Sequence, residues 1–327
     1  MNNNRTGIWV LAGVIVGFSL PLLACMGLTL VTILSFSAAG SASQPASYAT
    51  AHVSGPLVGP AVALIDISGT IVSGRSSNFA STGMAASGDI IPLIRQAAVA
   101  SDVHAIVLLV NSPGGSVVPS DEIYHELQDL QIPLVVQMGD VSASGAYYIS
   151  MAADHIVANP NTLTGSIGVI STFPAIPELL EKVGVEITTI TAGESKDFGS
   201  LYREMTPEEI EYWQDLTSEV HDGFIEVVAE GRDMDIDTVR EFADGRVFSG
   251  RQALELGLVD ELGYQEDAIR IAADLAGISG VPRVIHYQKF SPLSAFLGEG
   301  INYLNPGLPA DWIRRLISPS LEYRWQP

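Results

Sequence analysis

The 327-residue sequence has a single cysteine, Cys25, only three lysines and six histidines, and aromatic residues make up 7% of it. A lone thiol excludes an internal disulfide and a clustered thiolate metal site. Lysine and arginine together number 16 against 37 aspartates and glutamates, a formal charge of -21. Phosphate binding depends on clustered Lys and Arg, and no basic patch occurs, so nucleic acid is not an expected partner. What the chain does have is apolar: 47% of its residues are hydrophobic, ample for a sizeable core.

Part of that content forms one run. No charge occurs from Ile8 to Phe36, a stretch longer than the roughly 20 residues that span a bilayer. The sequence predicts a single-pass membrane anchor within residues 1–36. Arg5 is the only charge before it, which by the positive-inside rule favours a cytoplasmic amino terminus and an extracytoplasmic catalytic domain. Leu22-Leu23-Ala24-Cys25 resembles a lipobox, and a cleaved secretory signal would begin the same way. GLTLVTILSF keeps the run apolar beyond Cys25, which favours a retained anchor. Residues 37–58 are rich in Ser, Ala, Gly and Pro and read as a flexible stalk.

Beyond the stalk, apolar runs alternate with helix-periodic segments. Strands are expected at 60–71, 104–110, 132–138, 155–159, 166–170 and 185–190, with helices at 88–100, from Ser120 as cap to 130, and from about Gly145. A long helix from a Thr206-Pro207 cap to Glu230 follows, then shorter helices around 236–243, 250–256 and 264–276. This alternation predicts an α/β domain over 59–280 with a largely parallel, buried sheet. The tail, 281–327, carries no recognisable motif and reads as loosely packed.

In such sheets the ligand site lies beyond the carboxyl ends of the strands, where NSPGGS and GDVSASG both fall. Ser144 occupies the first turn of a helix after a strand, followed by the small Gly145 and Ala146; Ser142 lies in the turn before it. That position suits a nucleophile, whose oxygen would be exposed beside free backbone N–H groups. The same local pattern is that of a helix cap. Gly114 and Gly115 after Pro113 permit a backbone N–H to point into the site, with Gly145 as a second oxyanion donor. His155 begins an apolar strand and reads as structural, whereas Lys196 lies in a glycine-containing loop and could serve as base only in its neutral form.

Taken together, VNSPGGSV, MGDVSASGAYYISMAADHIVAN, NTLTGSIGV, TAGESKD and DGRVFSGRQALELGLVDELG resemble the signal peptide peptidase A family, from about Ala61 to Ala276. The resemblance implies a ClpP/crotonase-like fold of repeated β-β-α units behind a transmembrane helix. It implies Ser144 as nucleophile, Lys196 as general base, Ser166 as the serine that hydrogen-bonds the lysine, and Gly114 or Gly115 with Gly145 as oxyanion hole. The chain is similar to the short, single-core members, in which Ser and Lys of one site come from neighbouring subunits of a ring-like homo-oligomer. Substrates implied are remnant signal peptides and other unfolded apolar segments at the membrane, cleaved without metal or other cofactor. A non-catalytic peptide-binding scaffold on the same fold is the alternative.

Overall fold

Three apolar runs set the centre of the molecule, because a run apolar at every position needs burial on both faces. The computed structural model describes residues 48–76, 83–289 and 322–324; the expected anchor and the first part of the expected stalk lie outside them. In chain order the elements are β1 (Tyr48–Ser54), β2 (Ala61–Ser68), β3 (Thr70–Val72), β4 (Met84–Ala86), α1 (Ser87–Val99), β5 (Val103–Ser112), β6 (Gly114–Ser116), α2 (Val117–Gln128), β7 (Leu134–Ala143), α3 (Gly145–Ser150), β8 (His155–Ala158) and β9 (Leu163–Gly165). There follow α4 (Pro177–Val183), α5 (Pro207–Gly231), α6 (Ile236–Arg240), β10 (Val247–Ser249), α7 (Gly250–Glu255), β11 (Glu261–Leu262), α8 (Gln265–Leu275), β12 (Arg283–Lys289) and β13 (Glu322–Arg324).

The main sheet runs β1-β12-β2-β5-β7-β8-β11, with β9 on the end of β7 and β10 on β9. Its centre is parallel: Leu64 lies opposite Val107, and Val107 opposite Val135. Alternate residues serve opposite faces. Ala63, Ile65 and Ile67 join the larger core with α1, α2, α3 and α5, while Val62 and Leu64 pack with Ala268, Ile271 and Ala272 of α8. Beyond the carboxyl ends lies a second, small sheet in the order β13-β6-β3-β4. Core strand β5 thus gives one short strand, β6, and then a helix, as β-β-α units would, whereas β2 gives two, β3 and β4, before its helix.

The structure corrects several expectations. Residues 48–54 of the expected stalk form β1, paired antiparallel with β12. Residues 283–289 of the expected loose tail form β12, inserted between β1 and β2, with Val284, Ile285 and Tyr287 buried. Small residues hid the first strand, and absence of a motif hid the second. The strand expected at 166–170 lies earlier, at 163–165, where Val141, Ser142 and Ala143 offer it a partner. Residues 185–190 are exposed and form no strand. Helix α2 starts before Ser120, whose hydroxyl donates back to the Ser116 carbonyl at 2.9 Å. The long helix begins as expected, at a capping box in which Thr206 and Glu209 satisfy each other's backbone N–H groups.

Candidate active site

β7 ends at Ala143 and α3 begins at Gly145, so the chain turns from strand to helix on one residue. That residue, Ser144, has φ 56° and ψ -120°, a conformation that L side chains disfavour. The turn is held by the Ser144 N–H, which donates to the Gly165 carbonyl at 2.7 Å, and by the Ser144 carbonyl, which accepts from Tyr148 at 2.9 Å. Although Ser144 is the N-cap by position, its side chain makes no capping hydrogen bond. The cap function that the local sequence pattern allowed is therefore not what the hydroxyl does.

Ser142 belongs to β7 rather than to a turn, opposite Thr164. Burial does not separate the two serines, at 0% exposure for Ser142 and 1% for Ser144. Their backbones do: only Ser144 sits at the strained strand-to-helix junction. The Ser142 hydroxyl is buried with no hydrogen-bond partner among the described residues, while its carbonyl accepts from Thr164 Oγ1 at 2.7 Å.

Gly165 connects the nucleophile candidate to Ser166. It pairs with Ala143 on one side and Val247 on the other, at φ 76°. A Cβ there would lie 2.6 Å from Phe248 Cδ2, so glycine is required twice over, by conformation and by space. Ser166 also has positive φ, 53°, and its N–H donates to the Arg246 carbonyl at 2.9 Å. Ser144 and Ser166 thus each follow the last residue of one of two paired strands, β7 and β9.

The glycine pair after Pro113 divides into two roles. The Gly114 N–H, at φ 90°, donates to Ser112 Oγ at 3.1 Å, so Gly114 is not a free oxyanion donor. Gly115 lies against β3 so closely that a Cβ would come within 2.0 Å of the Ile71 carbonyl oxygen. Helix α3, whose first N–H groups have no intrahelical acceptor, packs against β6. The strand that carries Gly115 and the helix that begins at Gly145 thus pack together. Asn111 Oδ1, accepting the Val141 N–H at 3.1 Å, ties the end of β5 to β7.

No contact among the described residues brings Lys196 to Ser144. It is exposed, in the loop before α5, and its Nζ makes no hydrogen bond or ion pair among the described residues. Its loop is nevertheless anchored. Arg203 Nε donates to Asp197 Oδ2 at 2.8 Å and Nη2 to Oδ1 at 2.9 Å, while Nη1 reaches Glu209 Oε2 at 2.8 Å. The hydrogen bonds that Arg203 donates to Glu209 and then Asp197 raise its pKa, and the same bonds hold both carboxyls below the ordinary range. Sequence reasoning missed Arg203; an arginine three residues before a Thr-Pro cap was the available signal. His155 starts β8 opposite Val135, at the amino ends of the strands and away from Ser144, as expected.

A cavity of about 470 Å³ opens beside Ser166, walled by Gly168, Gln214, His221, Asp244 and Arg324. Among the described residues no group of His, Cys, Asp and Glu could hold a metal ion.

Residues 126–279 match the model of peptidase family S49, and residues 81–164 that of Clp protease. Residues 126–279, just under half of the chain, are thus similar to peptidase family S49. Curated relatives include a protein of Synechocystis named as a candidate protease, 49% identical over 176 residues, covering 53% of this chain and 64% of that one. Another candidate protease, from Methanocaldococcus jannaschii, is 40% identical over 206 residues, covering 61% and 66% respectively. A protein of Enterococcus faecium named as a candidate signal peptide peptidase SppA is 44% identical over 170 residues, covering 51% and 49%. The matches span from about half to just under two thirds of the length of these relatives. A solved ClpP1 variant of Listeria monocytogenes superposes with a TM-score of 0.41 at 18% identity, covering 63% of this chain and 94% of that one.

Proposed function

We propose that the chain is a membrane-anchored serine endopeptidase in which Ser144 is the nucleophile and Lys196 the general base. The observation that carries this is Ser144 itself: a non-glycine residue held at φ 56° by its neighbours, with a hydroxyl released from capping. Such strain persists only where surrounding structure enforces it, and here it sets the hydroxyl at the junction of strand and helix. The S49 match extends over both Ser144 and Lys196.

The chemistry follows from those roles. The free amine of Lys196 takes the Ser144 proton as Oγ attacks the peptide carbonyl; the N–H groups of Gly145 and Gly115 receive the oxyanion. The lysine returns its proton to the leaving amine, and then activates the water that hydrolyses the acyl-enzyme. Ser166 orients the lysine. Desolvation is what favours a neutral lysine amine, and the Lys196 loop is exposed in the single chain. The base therefore comes from a neighbouring subunit of a ring-like homo-oligomer, whose interface covers it. The anchor over 1–36 holds the domain at the outer face of the membrane, where unfolded apolar peptides such as signal peptide remnants are the substrates.

Fluorophosphonate labelling of the full-length protein in detergent, with cleavage of a quenched peptide, tests the reading. Label and cleavage are both expected in the wild type and both lost in Ser144→Ala. Labelling retained in Ser144→Ala would place the nucleophile elsewhere.

A further inference from the structure

Three buried hydroxyls lie in one row across adjacent strands. Ser112 on β5 is the register partner of Ser142 on β7, and Ser142 is that of Thr164 on β9. All three are 0% exposed. Each stands two residues ahead of a residue of the candidate site: Gly114, Ser144 and Ser166 respectively. Just upstream the paired residues are apolar, Val110 opposite Met138, both buried. A hydroxyl in such surroundings costs stability unless a hydrogen bond compensates it.

Two of the three make such a bond, and both bonds hold backbone that leads into the site. Ser112 Oγ accepts the Gly114 N–H at 3.1 Å, spanning Pro113, which has no N–H of its own. That bond pins the turn at Gly114, φ 90°, and with it the next peptide unit, whose N–H belongs to Gly115. Thr164 Oγ1 donates to the Ser142 carbonyl at 2.7 Å, and the Gly165 carbonyl accepts the Ser144 N–H at the same distance. The end of β9 thus grips the strained junction on both sides of Ala143. The third hydroxyl, that of Ser142, is equally buried but has no partner among the described residues.

We propose that Ser112 and Thr164 are positioning residues for the reaction. Ser112 orients the Gly115 N–H for the oxyanion, and Thr164 holds the end of β7 so that Ser144 presents its hydroxyl to the substrate carbonyl. Preorganised donors need no rearrangement as charge develops, so a displaced donor costs rate rather than substrate binding. The effect on rate rests on the peptidase reading, whereas the Ser112 bond is measurable without catalysis.

The experiment compares full-length Ser112→Ala, Thr164→Val and Ser142→Ala proteins in detergent, measuring kcat and KM for a quenched peptide and the denaturation midpoint of each. Ser112→Ala is expected to lower kcat about tenfold and Thr164→Val about fivefold, with KM changed by less than about twofold. Thr164→Ser returns the hydroxyl and should bring kcat back to within about twofold of wild type. Ser142→Ala removes an equally buried hydroxyl that holds no described partner, and should leave kcat within about twofold. An equal loss of kcat in Ser142→Ala, or failure of Thr164→Ser to recover what Thr164→Val lost, would reduce the row to packing and overturn the proposal. A Ser112→Ala protein that fails to fold is replaced by Ser112→Cys, whose sulfur fills the space but is a weak acceptor. Hydrogen–deuterium exchange over 112–116 reads the Ser112 bond directly. Faster exchange there in Ser112→Ala than in Ser142→Ala is expected; equal exchange would overturn the role of Ser112 whether or not the protein is a peptidase. Fluorophosphonate labelling of wild-type Ser144 reports on the peptidase reading alone, so the two fail independently.

Discussion

The backbone N–H of Ser144 donates to the carbonyl of Gly165 at 2.7 Å, and through that bond the two loops of the candidate site are fixed to each other. Gly165 is at φ 76°, with Phe248 occupying the space where a Cβ would project. Gly165→Ala therefore forces both a left-handed alanine and a displaced ring. A loss of about 2 kcal/mol in unfolding free energy is expected, from backbone strain plus overpacking. Because the shift passes directly to Ser144 and Ser166, fluorophosphonate labelling should slow more than stability loss alone explains, which is checked by labelling well below the midpoint temperature.

The strain at Ser144 makes a second, opposite forecast. Glycine tolerates φ 56°, ψ -120° far better than serine, and the hydroxyl makes no cap that would be lost. Ser144→Gly should be as stable as the wild type or more stable by about 1 kcal/mol, while Ser144→Ala changes little; both should be inactive. Chemical denaturation of the three proteins measures this. A marked destabilisation by both substitutions would mean that the side chain has a structural role after all.

The sequence made the parallel core legible because β2, β5 and β7 are apolar at nearly every position and are separated by helix-periodic segments. Ser144 was legible as a position but not as a function: only backbone angles show that it is strained and not capping. Gly114 and Gly115 looked alike in sequence and differ in structure because Ser112, two residues earlier, takes one of the two N–H groups. β1, β12 and β13 were illegible because their partners lie far away in the chain, and pairing with a distant strand leaves no local periodic mark. Lys196 stays where the sequence put it, in a loop, and its side chain is exposed.

Arg203 leads to a prediction about that loop. Its fork holds Asp197, the residue after Lys196, to Glu209 at the start of α5. All three side chains are on or near the surface, so Arg203→Ala should leave the unfolding free energy nearly unchanged. It should reduce kcat by about tenfold by releasing the loop, and Arg203→Lys should not restore it, because a point charge cannot grip two carboxylates with one plane. If sites are shared, mixing Ser144→Ala with Lys196→Ala subunits should recover about a quarter of wild-type activity, the fraction of junctions that combine an intact serine with an intact lysine in a heterologous ring. No recovery after verified subunit exchange would place both groups in one chain.

A buried cation fixes the far side of the core. Arg232 Nη2 donates to Asp260 Oδ1 at 2.6 Å, its Nε to the Gly257 carbonyl at 2.8 Å, and Asp260 Oδ2 accepts the Ile156 N–H at 2.8 Å. Burial raises the Asp260 pKa, but the Arg232 hydrogen bonds and charge, with the Ile156 N–H, outweigh it and leave the carboxyl below its ordinary value of 3.8. Stability from a lowered carboxyl is present above the unfolded value and lost as pH falls through the folded one. Asp260→Asn should cost about 3 kcal/mol at neutral pH by leaving Arg232 unpaired, with the gap to wild type closing below about pH 4. Urea denaturation at pH 7 and at acid pH measures both ends.

His286 and Asp66 couple the newly recognised strand β12 to the core with the opposite pH sign. Nε2 of His286 lies 2.8 Å from Asp66 Oδ2, and that hydrogen bond, with the carboxylate's charge, outweighs burial and raises the imidazole above its ordinary pKa of 6.5. A raised histidine contributes its stability fully below the unfolded pKa and loses it as pH rises through the folded one. Both side chains are partly exposed, so solvent screening limits the contribution to about 1 kcal/mol or less. Wild type should therefore exceed Asp66→Asn in stability at about pH 6 and converge with it above about pH 8. Titration of His286 by NMR should show its pKa falling in Asp66→Asn; an unchanged titration would mean that the pair does not persist in solution.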